Sequence, residues 1–263
     1  IGYQALLVNT SGTRNTAVGA NSLDANTTAA DNTAVGYNAL TATTTGQRLV
    51  AVGSAALDGN TTGDDNTAVG YNSLGANTTG AGCIAIGSYA LDANTTGGNI
   101  AIGRNALGSN TTGTLNTALG YDALFTNVDG DNSTAVGYQA LYSQEPASNV
   151  DMYNVMVGHT AGYGLTTGIR NVGVGASVLQ GAVTGNDNTA MGHAALAANT
   201  TGGEQTAVGS LALDANTTGT ENTAFGFSAL TSNTTGNSNT ALGRKALFTN
   251  TTGTGNVAVG QGA

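Results

Sequence analysis

The residues with the most chemical potential gather where the chain breaks its own rhythm. The segment 144–154, Gln-Glu-Pro-Ala-Ser-Asn-Val-Asp-Met-Tyr-Asn, contains Glu145, Asp151 and Tyr153, and Tyr142, His159 and Tyr163 lie beside it. With Tyr138, this neighbourhood holds four of the nine tyrosines. Aromatic rings offer apolar faces for stacking and carboxylates accept hydroxyl hydrogen bonds, so such a set suits a sugar. A carboxylate pair also raises glycoside hydrolysis, which needs two such groups at a set separation across the scissile bond. Glu145 and Asp151, six residues apart on a loop, do not supply that geometry by spacing alone, and the other acids scatter along the chain. The expectation is a protein without catalytic activity, with a polysaccharide-degrading fibre enzyme as one alternative.

Other reactive groups are sparse. Cys83 is the single cysteine and stands in a slot that is elsewhere mostly Asn, so neither an intrachain disulfide nor a thiolate metal site is expected. His159 and His193 stand alone at equivalent positions, and the glycine-aspartate repeat that binds calcium in other β-rolls is missing. No metal or other cofactor is expected. Eleven Asn-x-Ser/Thr sequons occur, nine of them in Asn-Thr-Thr phrases. They would be glycan acceptors in a secreted eukaryotic chain, or turn chemistry multiplied by duplication.

What positions these groups is a repeat. The phrase Asn66-Thr67-Ala68-Val69-Gly70-Tyr71-Asn72-Ser73-Leu74-Gly75-Ala76-Asn77-Thr78-Thr79-Gly80 recurs throughout, and its first glycine returns every 17 residues from Gly2 to Gly260 with two exceptions. One residue is missing between Gly97 and Gly103, and four are added between Ala147 and Gly158. A period this short marks a solenoid whose units cannot bury a core alone and must stack. The added residues predict a loop over 144–154, extruded between coils. The expected organisation is all-β: a single parallel β-solenoid or β-roll over residues 1–263, about sixteen coils, as a piece of a longer fibre.

Within each coil, the slot before the glycine is always apolar and the slot two residues earlier is always β-branched, as in Val69 and Thr67. Side chains alternate along a strand, so these two share a face. The expectation puts Val69 and Thr67 inward, with Leu74 forming a second core row. Gly70 and Gly80 turn the corners, and Asn66 and Asn77 stack from coil to coil as amide ladders do. Ala68 would then lie on the outer face, either as a filler beside the turn or where a sister chain approaches closely. So thin a core argues for further burial between chains, hence for a homo-oligomer.

Composition narrows the partners. Charged residues are only 8%, with 15 acids against 6 bases and a formal charge of −9, so nucleic-acid phosphates are not an expected ligand. No apolar run is long enough to cross a membrane as a helix. Rows of threonine also raise ice binding as an alternative, through a flat outward array of hydroxyls. The Thr pair of Asn-Thr-Thr-Gly is expected to split between the two faces, leaving one outward row from that phrase.

The run Asn-Thr-Ala-Val-Gly, or Cys83-Ile84-Ala85-Ile86-Gly87 in its nearest form, resembles the head repeats of trimeric autotransporter adhesins. The phrase Gly-Tyr-Gln-Ala-Leu at 2–6 and 137–141, followed by Asn-Thr-Thr-Gly, is similar to repeats of phage tail fibres. The resemblance implies a β-roll with three chains side by side, an extracellular, cell-surface or virion setting, and a structural and adhesive role that spaces or presents a surface for a glycan or receptor. The 17-residue period is longer than that of the adhesin heads.

Overall fold

The computed structural model describes residues 1–181 and 183–263. Each repeat lays down one three-residue strand followed by a corner that ends on the next strand's neighbour. The chain divides into two units, Ile1–Asp131 and Asn132–Ala263. In the first, β1 (Thr16–Val18), β2 (Thr33–Val35), β3 (Val50–Val52), β4 (Thr67–Val69), β5 (Ile84–Ile86), β6 (Ile100–Ile102) and β7 (Thr117–Leu119) pair in chain order, every pair parallel.

The second unit repeats the scheme with β8 (Thr134–Val136), β9 (Val155–Val157), β10 (Val172–Val174), β11 (Thr189–Met191), β12 (Thr206–Val208), β13 (Thr223–Phe225), β14 (Thr240–Leu242) and β15 (Val257–Val259). Both units are parallel β-solenoids of about 17 residues per turn, without a helix among the described residues. Fifteen strands form where sixteen coils were expected, because Gly2 is preceded by a single residue.

The expected faces are reversed. Ala68 is fully buried, and Thr67 and Val69 on either side of it point outward, a pattern shared by every strand from β1 to β14. The Ala row is therefore the core face of its own coil, not a filler on the surface or a site for a sister backbone. The physical reason is the width of the coil. Leu74, Ser73, Asn66 and Asn77 of the same coil are fully buried with Ala68, and a close-packed interior this narrow favours a methyl group over a branched side chain at the Ala slot.

The corners are built from unusual backbone. Gly70 has φ +138°, and a Cβ there would lie 2.6 Å from the carbonyl carbon of Gly87 in the next coil. Glycine is required twice over, by conformation and by the approach of the neighbouring backbone. Two residues later the left-handed region is occupied again, by Asn72 (φ 52°) and then by Leu74 (φ 54°). Such a conformation costs a leucine about 1–2 kcal/mol. Burial of the side chain and the hydrogen bond from Leu74 N–H to Ala90 O (3.0 Å) offset it.

Buried asparagines satisfy the backbone that the narrow core leaves over. Asn66 Nδ2 donates to Gly80 O (2.7 Å), while its Oδ1 accepts the N–H of Cys83 (2.8 Å) in the next coil. Asn77 Nδ2 donates to Gly80 O (3.0 Å) and to Asn60 Oδ1 (3.3 Å), and its Oδ1 accepts from Gly80 N–H (3.1 Å). The coil that is one residue short disturbs this ladder. There Asn94 turns its Nδ2 to Thr96 O (2.6 Å), and both amide atoms of the next rung, Asn110, are buried without a partner.

Candidate functional site

The inserted residues do extrude, over a narrower stretch than 144–154. Ala147, Ser148, Asn149 and Val150 are exposed, whereas Gln144, Met152 and Asn154 are fully buried and Pro146 is buried with them. Gln144 takes the slot of the buried asparagine, and its Oε1 accepts from Ser133 Oγ (3.1 Å) and Asn154 Nδ2 (3.0 Å). The flanks of the insertion thus belong to the core, and only its middle is loop.

The six candidate residues occupy different slots of the coil. Tyr142 and Tyr163, one coil apart, stack with ring centroids 5.1 Å apart and planes at 9°. His159 stacks on Tyr138 (5.1 Å, 17°) at the slot just after the repeat glycine. Asp151 and Tyr153 lie on the far side of the inserted loop, where Tyr153 Oη donates to Asp151 Oδ2 (3.0 Å) and Asn132 Nδ2 donates to Asp151 Oδ1. The Asp151 carboxylate holds the Tyr153 phenol above its usual range, by the hydrogen bond first and by charge second. Glu145 is half-buried, with its N–H on Thr166 O (3.2 Å). Both carboxylate oxygens of Asp151 thus accept hydrogen bonds within the protein.

The reversed strand creates a second surface that sequence reasoning missed. Thr67 and Val69 belong to two outward rows that run along each unit at the strand spacing of about 4.8 Å. In the first unit the row after Ala carries Val18, Val35, Val52, Val69, Ile86, Ile102 and Leu119, of which Val52 is 37% exposed and Leu119 43%. In the second unit the same row includes Met191, Phe225 and Leu242, all exposed. The signal was present in the sequence: the middle slot of the strand never holds anything larger than Ala or Gly except once, at Met156. A limit on size marks a packed interior better than it marks a surface.

The threonines divide by use. In several Asn-Thr-Thr phrases the first Thr donates its hydroxyl to the backbone of the next coil, as Thr61 Oγ1 does to Thr78 O (3.0 Å). Neither Thr of these phrases is buried, so the expected split between faces does not occur. Among the described residues, Thr33 and Thr67 of the strands show no protein hydrogen bond through their hydroxyls, which lie on the outward side of the strand. Among the sequon asparagines, Asn60 and Asn77 are fully buried with their amide nitrogens bonded, which is turn and core chemistry, whereas Asn9 is exposed and Asn132 and Asn250 are half-buried.

Three of the six cations form ion pairs just past the Asn-Thr-Thr-Gly corner or its equivalent. Arg14 bridges Asp31, Arg48 bridges Asp65 (2.5 Å) and Asp64 (3.3 Å), and Arg170 bridges Asp187 (2.6 Å), each across one coil step. The other three cations rest on rings: Arg104 over Tyr121, Arg244 over Phe227 and Lys245 over Phe248. Cys83 is buried, its Sγ donates to Thr96 O (3.3 Å), and burial pushes the thiol above its usual range. Among the described residues no three His, Cys, Asp or Glu side chains converge as a metal site would require. No protein-family model matches the chain, and neither does any curated protein.

Proposed function

We propose that the chain is a length of extracellular fibre, a surface adhesin or a virion tail fibre, with a structural and adhesive role and no catalytic one. In this reading copies of the chain lie side by side as a homotrimer, joined along the outward Thr and Val rows. One observation carries the proposal: each strand presents an apolar side chain outward at the same slot, so the exposed apolar groups join into a stripe along each unit. Contiguous apolar surface of that kind is characteristic of interaction faces. The contact face is thus moved from Ala68, which lies inside its own coil, to Thr67 and Val69.

Sedimentation equilibrium of the chain tests this reading, alongside a variant with Val52→Asp and Val69→Asp. The expected result is a trimer mass for the parent and a monomer mass for the variant, with unchanged far-ultraviolet circular dichroism. A monomer for the parent across the concentration range overturns it.

A second reading, ice binding, draws on the same face. Thr16, Thr33 and Thr67 in the first unit, and the unbroken run Thr189, Thr206, Thr223 and Thr240 in the second, hold outward hydroxyls beside aliphatic side chains in fixed register. Thermal hysteresis and ice-crystal shaping by the chain measure it directly. Their absence removes this reading without touching the first.

A further inference from the structure

A cluster in the first unit falls outside both the strand face and the inserted loop. Tyr71, Tyr89, Arg104 and Tyr121 come from four successive coils, at the two slots that follow the repeat glycine. Tyr71 and Tyr89 meet edge to face, with centroids 5.2 Å apart and planes at 80°. Arg104 lies with its guanidinium 5.6 Å from the Tyr121 ring centre and donates from Nη1 to Tyr121 Oη (2.8 Å). All three rings are well exposed, Tyr71 at 52%. Unlike Arg14, Arg48 and Arg170, Arg104 faces no carboxylate within ion-pair distance among the described residues, and its Nε and Nη2 have no protein acceptor. The nearby Asp122 already accepts from Asn105 Nδ2 (3.0 Å).

We infer that this row is a binding site for an acidic saccharide, a chain of carboxylated sugar rings lying along the coils. The exposed rings of Tyr71 and Tyr89 supply an apolar face and edge for the C–H side of a sugar, while Tyr121 anchors Arg104. Arg104, tethered to Tyr121 Oη by its Nη1, leaves its Nε and Nη2 edge to match a carboxylate bidentately. The coils place these groups on a backbone lattice with a rise of about 4.8 Å, so no loop must be ordered on binding. A rigid periodic row suits a ligand that is itself a linear repeat of rings. The inference rests on the reading of the chain as a presenting surface, and not on its self-association.

The test is isothermal titration of the intact chain with tetragalacturonate, its methyl-esterified counterpart, and tetraglutamate. Saturable binding of the uronate is expected, weakened about ten-fold or more in Arg104→Gln and in Tyr71→Ala, and unchanged in Arg244→Gln. The ester, which lacks the charge, is expected to bind as weakly as the uronate binds Arg104→Gln. The inference is overturned by no uronate binding, by equal binding of ester or tetraglutamate, or by full binding in Arg104→Gln. Sedimentation of the same samples separates the two proposals. A trimer that ignores the uronate loses only the site, and a monomer that binds it loses only the assembly.

Discussion

Met156 occupies the space that a side chain on Gly162 would need: a Cβ at Gly162 would lie 2.8 Å from Met156 Cγ. The first is the only large residue at the Ala slot of a strand, and the second is the glycine that replaces Leu at the main core slot of the same coil. In the next coil Gly173 replaces Ala, and its added Cβ would strike Met156 Sδ. Met156 thus fills space given up by Gly162 and Gly173 within one patch of core.

This compensation predicts coupled mutations. Gly162→Leu alone is expected to overpack the coil and cost about 1–3 kcal/mol, although φ at Gly162 (+62°) already suits the left-handed Leu of other coils. Met156→Ala alone leaves a cavity and is expected to cost about 2–5 kcal/mol. The double variant Met156→Ala/Gly162→Leu restores the repeat residues at these two positions and should be more stable than either single one. Urea midpoints for the four proteins measure the interaction, and additive losses would show that the two residues do not share one space.

The same argument distinguishes the two faces of a strand. Ala68→Val places two extra carbons in a fully buried slot and is expected to cost about 1–3 kcal/mol. Val69→Thr changes an outward residue and should stay within about 0.5 kcal/mol. Were Val69 the core residue, the order would be reversed, so thermal melts of the two variants decide it.

What the sequence made legible was whatever repetition alone determines. The period, the parallel stacking, the buried Leu row and the corner glycines follow from residue type at a fixed spacing, and the fold keeps them. The inside and outside of the three-residue strand did not follow from hydrophobicity. Val69 is more apolar than Ala68, yet interior volume decides, and a coil this narrow admits only the methyl group. The limit on size at the Ala slot, with its exception at Met156 answered by Gly162 and Gly173, carried the information that polarity did not. The candidate set around the inserted loop was likewise adjacent in sequence but divided by the coil: Tyr142 and Tyr163 stack at one slot while Asp151 and Tyr153 pair at another.

Buried amides give a prediction by hydrogen-bond accounting. Asn77→Ala removes the partners of Gly80 N–H, Gly80 O and Asn60 Oδ1 in part or whole, and is expected to cost about 1–3 kcal/mol. Asn110, at the coil beside the one-residue deletion, has two buried amide atoms without partners. Asn110→Ala strands no other group and should cost clearly less than Asn77→Ala, with chemical unfolding as the measurement. An equal or larger loss at Asn110 would contradict the broken ladder.

Cys83 stands in the asparagine slot, with its sulfur on Thr96 O and its thiol raised by burial. Alkylating reagents need an accessible thiolate. Native protein is expected to resist iodoacetamide at pH 8, and protein unfolded in denaturant to be labelled fully. Rapid native labelling, followed by mass spectrometry, would refute the buried placement.

The acid dependence of stability has two opposed parts. Asp31, Asp65 and Asp187 are held below the usual carboxylate range, first by hydrogen bonds from Arg14, Arg48 and Arg170. Their contribution is present above the unfolded value, about 4, and is lost as pH falls through the lower folded values. Asp58 and Asp92 are raised, first by burial. Their folded form favours the proton, so their contribution is full below the unfolded value and is lost as pH rises through the folded one. Lowering the pH from neutrality should therefore first raise the melting temperature slightly, as Asp58 and Asp92 take up protons, and then lower it as the Arg–Asp bridges open. The bridges are exposed, so added salt should shrink the second effect more than the first. Asp58→Asn with Asp92→Asn is expected to abolish the initial rise and leave the later fall. A melting temperature that drops steadily from pH 7 downward in the parent chain would show that the half-buried carboxyls do not behave in this way.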